Sequence, residues 1–225
     1  MTAAYLVNLI DKIGAFPNLP SVGSETSSRE DAMSTAASDR IEYRGVNHVA
    51  LVCKDMARTV QFYRDVLEMP LVKTLDLPRG MGQHFFFDCG KGDALAFFWF
   101  PDAPDGVEGV SYPKALPGSG SFVTANGSMN HLAFDVPAEK FEAYHARLAA
   151  KGVEVTPIRN HDNSPTQISK EMNEGVYIRS FYFYDPDGTC LEFATWTGAL
   201  TPQDVAHEAR LADGTYASGV VFADA

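Results

Sequence analysis

Three side chains far apart in the sequence share a pattern that suits a metal ion. His48 and His131 lie in the matching stretches Asn47-His48-Val49-Ala50 and Asn130-His131-Leu132-Ala133, and Glu192 stands two residues before Ala194. Side chains alternate between the two faces of a strand, so each ligand-type residue shares its face with an alanine while its bulky neighbours face the other way. The bulky face is the natural one to pack on a helix, and the alanine face leaves room beside the imidazole or carboxylate. Two neutral imidazoles and one carboxylate suit a divalent first-row ion and leave further coordination positions open. A 2+ ion with one carboxylate carries about +1, which favours an anionic chelating substrate such as an enolate or a catecholate. A single strand histidine is more often a hydrogen-bonded core or surface residue; duplication of the pattern and the matching parity of Glu192 strengthen the joint case.

The elements that must position these residues also come in duplicate. After His48 the strand leads into a helical pattern capped by Asp55, with Val60, Tyr63 and Leu67 on one face. After His131 a helix with Phe141, Tyr144 and Leu148 on one face is stopped by Gly152. Three strand-like runs follow each helix: Leu71 to Leu77, Gln83 to Cys89 and Ala94 to Phe100, then Val153 to Ile158, Ile178 to Tyr184 and Thr189 to Thr197. Each half therefore reads βαβββ, an α+β arrangement of paired modules. The turn Asp185-Pro186-Asp187-Gly188 predicts a hairpin between the last two strands. We expect an N-terminal helix and linker over residues 1 to 44, a body over 45 to 197 with modules at about 45 to 101 and 128 to 197, and a tail over 198 to 225. Residues 107 to 127, rich in Gly, Ser and Pro, read as the inter-module connection, and Gln203 to Leu211 as one more helix.

Composition narrows the function classes. In 225 residues, 45% are hydrophobic and 21% charged, which supplies a sizeable core and excludes wholesale disorder. The formal net charge of −11, with no basic run, disfavours nucleic acid. The longest apolar stretches fall far short of the roughly 20 residues that cross a bilayer. Cys53, Cys89 and Cys190 are an odd set without C-x-x-C spacing, which points to reduced thiols in a cytoplasm.

From residue 45 to residue 197 the sequence resembles the vicinal oxygen chelate superfamily, which holds glyoxalase I, extradiol ring-cleaving dioxygenases, fosfomycin-resistance transferases and bleomycin-binding proteins. The stretch from Ser180 to Glu192 resembles the family's most recognisable segment. The resemblance implies a cup-shaped mixed sheet with metal ligands on the first strand of each module and on the last strand, the places of His48, His131 and Glu192. A glyoxalase I likeness would call for a further glutamate where our alignment puts Phe97. Ring-cleaving dioxygenases use three ligands, a tyrosine ten residues before the metal glutamate, here Tyr182, and an acid/base histidine at a position His161 resembles, although the insertion after it, Asn163 to Val176, departs from the family spacing.

The expected function is therefore that of an extradiol-dioxygenase-like enzyme acting on a catechol-type or other vicinal-oxygen small molecule, aromatic or anionic, with Fe(II) preferred over Mn(II), Zn(II) or Ni(II). Tyr182 and His161 would be catalytic, and Phe97, Trp99, Tyr184 and His84 would line the substrate site. The alternatives are a glyoxalase-like lyase or isomerase or a fosfomycin-resistance-like thiol transferase using a Lewis-acid metal, and a non-catalytic binding protein of the bleomycin-resistance kind. The resemblance also implies a homodimer.

Overall fold

Alternating hydrophobicity in the eight strand segments is resolved as two sheets in a computed structural model of the chain, which describes residues 41 to 216. The first sheet has the order β1-β4-β3-β2, from β1 (His48–Cys53), β2 (Leu71–Asp76), β3 (Gln83–Gly90) and β4 (Asp93–Trp99). The second has the order β5-β8-β7-β6, from β5 (Leu132–Asp135), β6 (Arg159–Asp162), β7 (Val176–Tyr184) and β8 (Cys190–Trp196). In each, the first strand runs parallel to the last, and the remaining pairs are antiparallel. The chain thus makes two four-stranded mixed sheets of an α+β fold.

Helices α1 (Met56–Val60) and α2 (Phe141–Ala150) follow β1 and β5. Asp55 caps α1 by accepting from the Arg58 amide at 3.0 Å, as its residue type predicts. A π-helical turn, Gln61–Val66, extends α1 and buries Tyr63 completely. Gly152, at φ +84°, takes the left-handed conformation that ends α2. One continuous apolar core joins both modules: Tyr63, Phe87, Leu95 and Phe97 from the first pack in the same cluster as Phe141, Phe181, Phe183 and Leu191 from the second. At about 1.5 to 3 kcal/mol for each large apolar side chain fully buried, this cluster is the main force holding the sheets to their helices.

Two expectations are corrected here. The sixth strand is Arg159–Asp162, not Val153 to Ile158, because Pro157 has no N–H for a ladder; only Thr156 bonds across, its amide donating to the Tyr182 carbonyl. The tail from Gln203 to Leu211 forms no further helix, only a 3₁₀ turn at Pro202–Asp204, since Val205 and Leu211 stay exposed among the described residues and offer no buried face. The connection 107 to 127 does more than join the modules. Its Leu116 and Phe122 pack with Tyr182, Tyr184 and Cys190 on the far face of the second sheet. The expected N-terminal helix lies outside the described residues.

Candidate metal centre

The face of each sheet turned away from the helices carries the candidate site residues. On β1, Val49, Leu51 and Cys53 enter the core while His48, Ala50 and Val52 remain on the outer face. On β5 the same parity turns Leu132 and Phe134 inward and leaves His131 and Ala133 outside. The register then pairs Ala133 with Glu192 and Glu192 with Tyr182, so that His131, directly before β5, and Glu192 and Tyr182, on the next two strands, lie on one face. His131 Nε2 lies 3.0 Å from Glu192 Oε2.

The asparagine before each histidine, whose part the sequence pattern does not announce, fixes each ring. His131 Nδ1 lies 2.9 Å from Asn130 Oδ1, and His48 Nδ1 lies 2.7 Å from Asn47 Oδ1. The Asn130 amide nitrogen donates to the Phe122 carbonyl at 2.7 Å, which holds its oxygen towards the imidazole. An oxygen acceptor at Nδ1 assigns the proton to that nitrogen and leaves the Nε2 lone pair free. In His131 that lone pair faces a carboxylate oxygen, an arrangement that needs a proton or a cation between the two atoms. The donor set therefore fits a divalent ion. Loss of the asparagine contact should weaken such an ion's binding. Asn130→Ala is expected to lower Mn(II) or Zn(II) affinity by about 10- to 100-fold, read by titration calorimetry, with Asn130→Asp largely retaining it.

Around this pair the groups are arranged in a chain. Burial pushes the Glu192 carboxyl up, but contacts from His131, Ser180 and Tyr182 outweigh it and hold the group below the usual carboxylate range. His161 lies half-buried on β6, its Nε2 2.8 Å from Ser180 Oγ, and burial, the largest influence, lowers its pKa so that the ring is neutral at pH 7. Burial also raises the Tyr182 phenol well above its ordinary value, with the nearby Glu192 charge adding to it. Tyr182 thus remains a hydroxyl donor. Phe122 walls the site, its ring 5.6 Å from that of His131 and 5.9 Å from that of Tyr182.

Other expected site residues are placed differently. His48 does not join His131 and Glu192: among the described residues no group of three His, Cys, Asp or Glu side chains converges as one ion would require. It stands instead on the open outer face of the first sheet, near Phe86 and His84. His84 shares this face, stacked on Phe98 at 3.6 Å. Phe97 and Trp99 have the opposite parity. Phe97 is 1% exposed, wedged 4.7 Å from the Tyr63 ring in the core, and Trp99 packs on the same cluster, so neither lines a cup. Tyr184 spends its hydroxyl anchoring the connection, donating to the Pro113 carbonyl at 2.9 Å. The pairing of Ala50 with Ala96, matching Ala133 with Glu192, shows that Ala96 rather than Phe97 occupies the place equivalent to Glu192 in the first module. No carboxylate stands there either way. The three cysteines are free, and burial pushes the Cys53 thiol up to about 11 and the Cys190 thiol up to about 12, which makes both poor nucleophiles.

Residues 45–193 match the model of the Glyoxalase/Bleomycin resistance protein/Dioxygenase superfamily. The metallothiol transferase FosB of Shouchella clausii is 27% identical over 154 residues, covering 68% of this chain and 81% of that protein. The fosfomycin resistance protein FosX of Listeria innocua is 25% identical over 154 residues, covering 68% and 90%. Among solved structures, a glyoxalase family protein from Enterococcus faecalis matches with a TM-score of 0.48 and 24% identity, over 68% of this chain and 98% of that one. With two thirds of its length matched by the family model, the chain belongs to the glyoxalase, bleomycin resistance protein and dioxygenase superfamily.

Proposed function

We propose that this protein is a metal-dependent enzyme of the fosfomycin-resistance kind, which uses a divalent Lewis acid to activate a small anionic oxygen-bearing substrate towards a nucleophile such as a thiol. One observation carries the reading: the lone pair of an asparagine-fixed His131 Nε2 meets the Glu192 carboxylate at 3.0 Å. The relatives shift the assignment away from the ring-cleaving dioxygenase that the sequence favours, because FosB and FosX are named for metallothiol transfer and fosfomycin resistance. The preference for Fe(II) falls with that assignment, since the donor set serves Mn(II), Zn(II) or Ni(II) equally well.

His131 and Glu192 would hold the ion, and His48 of a second copy would complete the set. His48 has the same fixed ring as His131, on a face that no element among the described residues covers. When bound, the ion supplies Lewis-acid polarisation of a substrate oxygen. Tyr182 O–H is a neutral donor aimed into the same space, suited to a developing oxyanion. Neutral His161 accepts a proton at Nε2 through Ser180 Oγ, which places a base within reach of the entering nucleophile. Phe122 excludes water from one side of the pair.

The test is direct. Metal-depleted protein reloaded with Mn(II) or Zn(II) is incubated with fosfomycin and cysteine or glutathione, and adducts are read by mass spectrometry. A thiol adduct that needs both metal and protein is the expected result. Oxygen uptake with catechol on Fe(II)-loaded protein, without any adduct, would return the assignment to the dioxygenases.

A further inference from the structure

Arg179 and Lys151 each hold a carboxylate, whereas Arg159, on the site face, does not. Arg179 bonds the Glu142 carboxylate at 2.6 Å and the Asn160 amide oxygen at 3.1 Å, and Lys151 holds Glu68 at 2.8 Å together with two carbonyls. Arg159 has no carboxylate partner among the described residues. Its Nη2 donates to the Pro117 carbonyl at 2.7 Å, and its Nε–H is buried with no acceptor. A buried donor left unmade costs about 1 to 3 kcal/mol, and more when it belongs to a charged group.

The position of this residue makes the gap informative. Arg159 pairs with Ser180 across β6 and β7, on the face that holds Glu192, and its charge reaches His161. Nε–H and Nη2–H lie along one edge of the guanidinium, the fork that two oxygens of a carboxylate, phosphate or phosphonate match side by side. Here one prong is held by a neutral carbonyl and the other is empty. Gly118, at φ +86°, lets the connection close over this fork: a Cβ there would fall 1.9 Å from Nη2. The net charge of −11 repels anions from the protein as a whole, so an anionic substrate needs a local cation of this kind.

We propose that Arg159 is the oxyanion receptor of the site: the acidic group of the substrate displaces the Pro117 carbonyl and takes both N–H groups of the fork, while the substrate's other oxygens face His131 and Glu192. This rests on the proposed function for the neighbouring metal, but the receptor itself is built from Arg159 alone. Exchange of a neutral acceptor for a charged one strengthens each bond, and the displaced turn at Pro117 and Gly118 is freed from its anchor. Arg159 then sets specificity for substrates with a planar or tetrahedral oxyanion over neutral ones.

Inorganic phosphate is the probe, its binding followed by 31P line broadening in metal-free protein, with Mn(II) binding measured separately by electron paramagnetic resonance. Wild type is expected to bind phosphate, Arg159→Lys to bind it about tenfold more weakly because the fork is lost though the charge and one donor remain, and Arg159→Ala not to bind. All three should bind Mn(II) equally. Amides of residues 115 to 121 should exchange faster with phosphate present in wild type only. Equal phosphate affinity in wild type and Arg159→Lys, or no phosphate binding by wild type, would overturn the proposal. Loss of Mn(II) binding by wild type would instead overturn the metal reading and leave the phosphate result to stand by itself.

Discussion

Replacing Glu192 with glutamine is expected to abolish the metal-dependent reaction and to weaken divalent-ion binding by more than about a hundredfold, since loss of a mere supporting partner costs up to that much. Glutamine has nearly the same volume and keeps acceptors for Ser180 and Tyr182, so the fold should survive: Glu192 is 5% exposed, and an isostere leaves no cavity. What disappears is the charge that faces His131 Nε2 at 3.0 Å. His48→Ala should be equally inactive if His48 serves the site of a second copy. A decisive extension is to unfold and refold the two inactive variants together. A mixed pair then holds one site built from the intact His48 of one chain and the intact His131 and Glu192 of the other, and random pairing predicts recovery of about a quarter of wild-type activity. Recovery of none, from variants that each refold alone, would place all the ligands within one chain and contradict the shared site.

How much of this centre can be read in the sequence depends on which physical rule carries the information. Strand parity is local, so the alternation around His48, His131 and Glu192 places each on the outer face correctly, and the Asp185-Pro186-Asp187-Gly188 turn joins β7 to β8 with the amide of Gly188 donating to the Asp185 carbonyl. Register is not local. A shift of one residue moves a side chain to the other face, which is why Phe97 is mistaken for the counterpart of Glu192 when the ladder gives that place to Ala96. Phe97 and Trp99 have the aromatic character of a substrate wall and also that of a core, and only the position of α1 and Tyr63 decides for the core. Asn47 and Asn130 stand in plain view in a repeated motif, but their effect falls on the ring of the next residue, which composition and periodicity do not report. The role of Arg159 depends on a turn 42 residues earlier, at Pro117, folding across β6. A Gly- and Ser-rich stretch carries no apolar period from which that path could be foreseen.

The buried bond between the modules gives the largest expected effect on stability. Tyr63, from the π-helical end of α1, donates to Asp185 Oδ2 at 3.0 Å, while Asp185 Oδ1 accepts from the amides of Asp187 and Thr189 at 2.9 and 2.8 Å. One carboxylate therefore shapes the β7–β8 turn and ties the second module to the helix of the first. Asp185→Ala leaves the Tyr63 hydroxyl, itself wholly buried, without an acceptor and removes two turn bonds, and it should cost about 3 kcal/mol in denaturant unfolding. Asp185→Asn keeps an oxygen for the turn and a polar partner for Tyr63, and should cost much less. The pH response distinguishes the charge from the hydrogen bonds. Burial, the dominant influence, raises the Asp185 pKa above its ordinary value even against the bonds that lower it. An acid with a raised pKa in the folded state favours folding when protonated, so its contribution is full below the ordinary carboxylate pKa and is lost as pH rises through the folded value. Wild type should therefore lose stability relative to Asp185→Asn as pH climbs through that window and hold a constant difference above it. A difference that grew on acidification instead would mean that folding stabilises the ionised carboxylate.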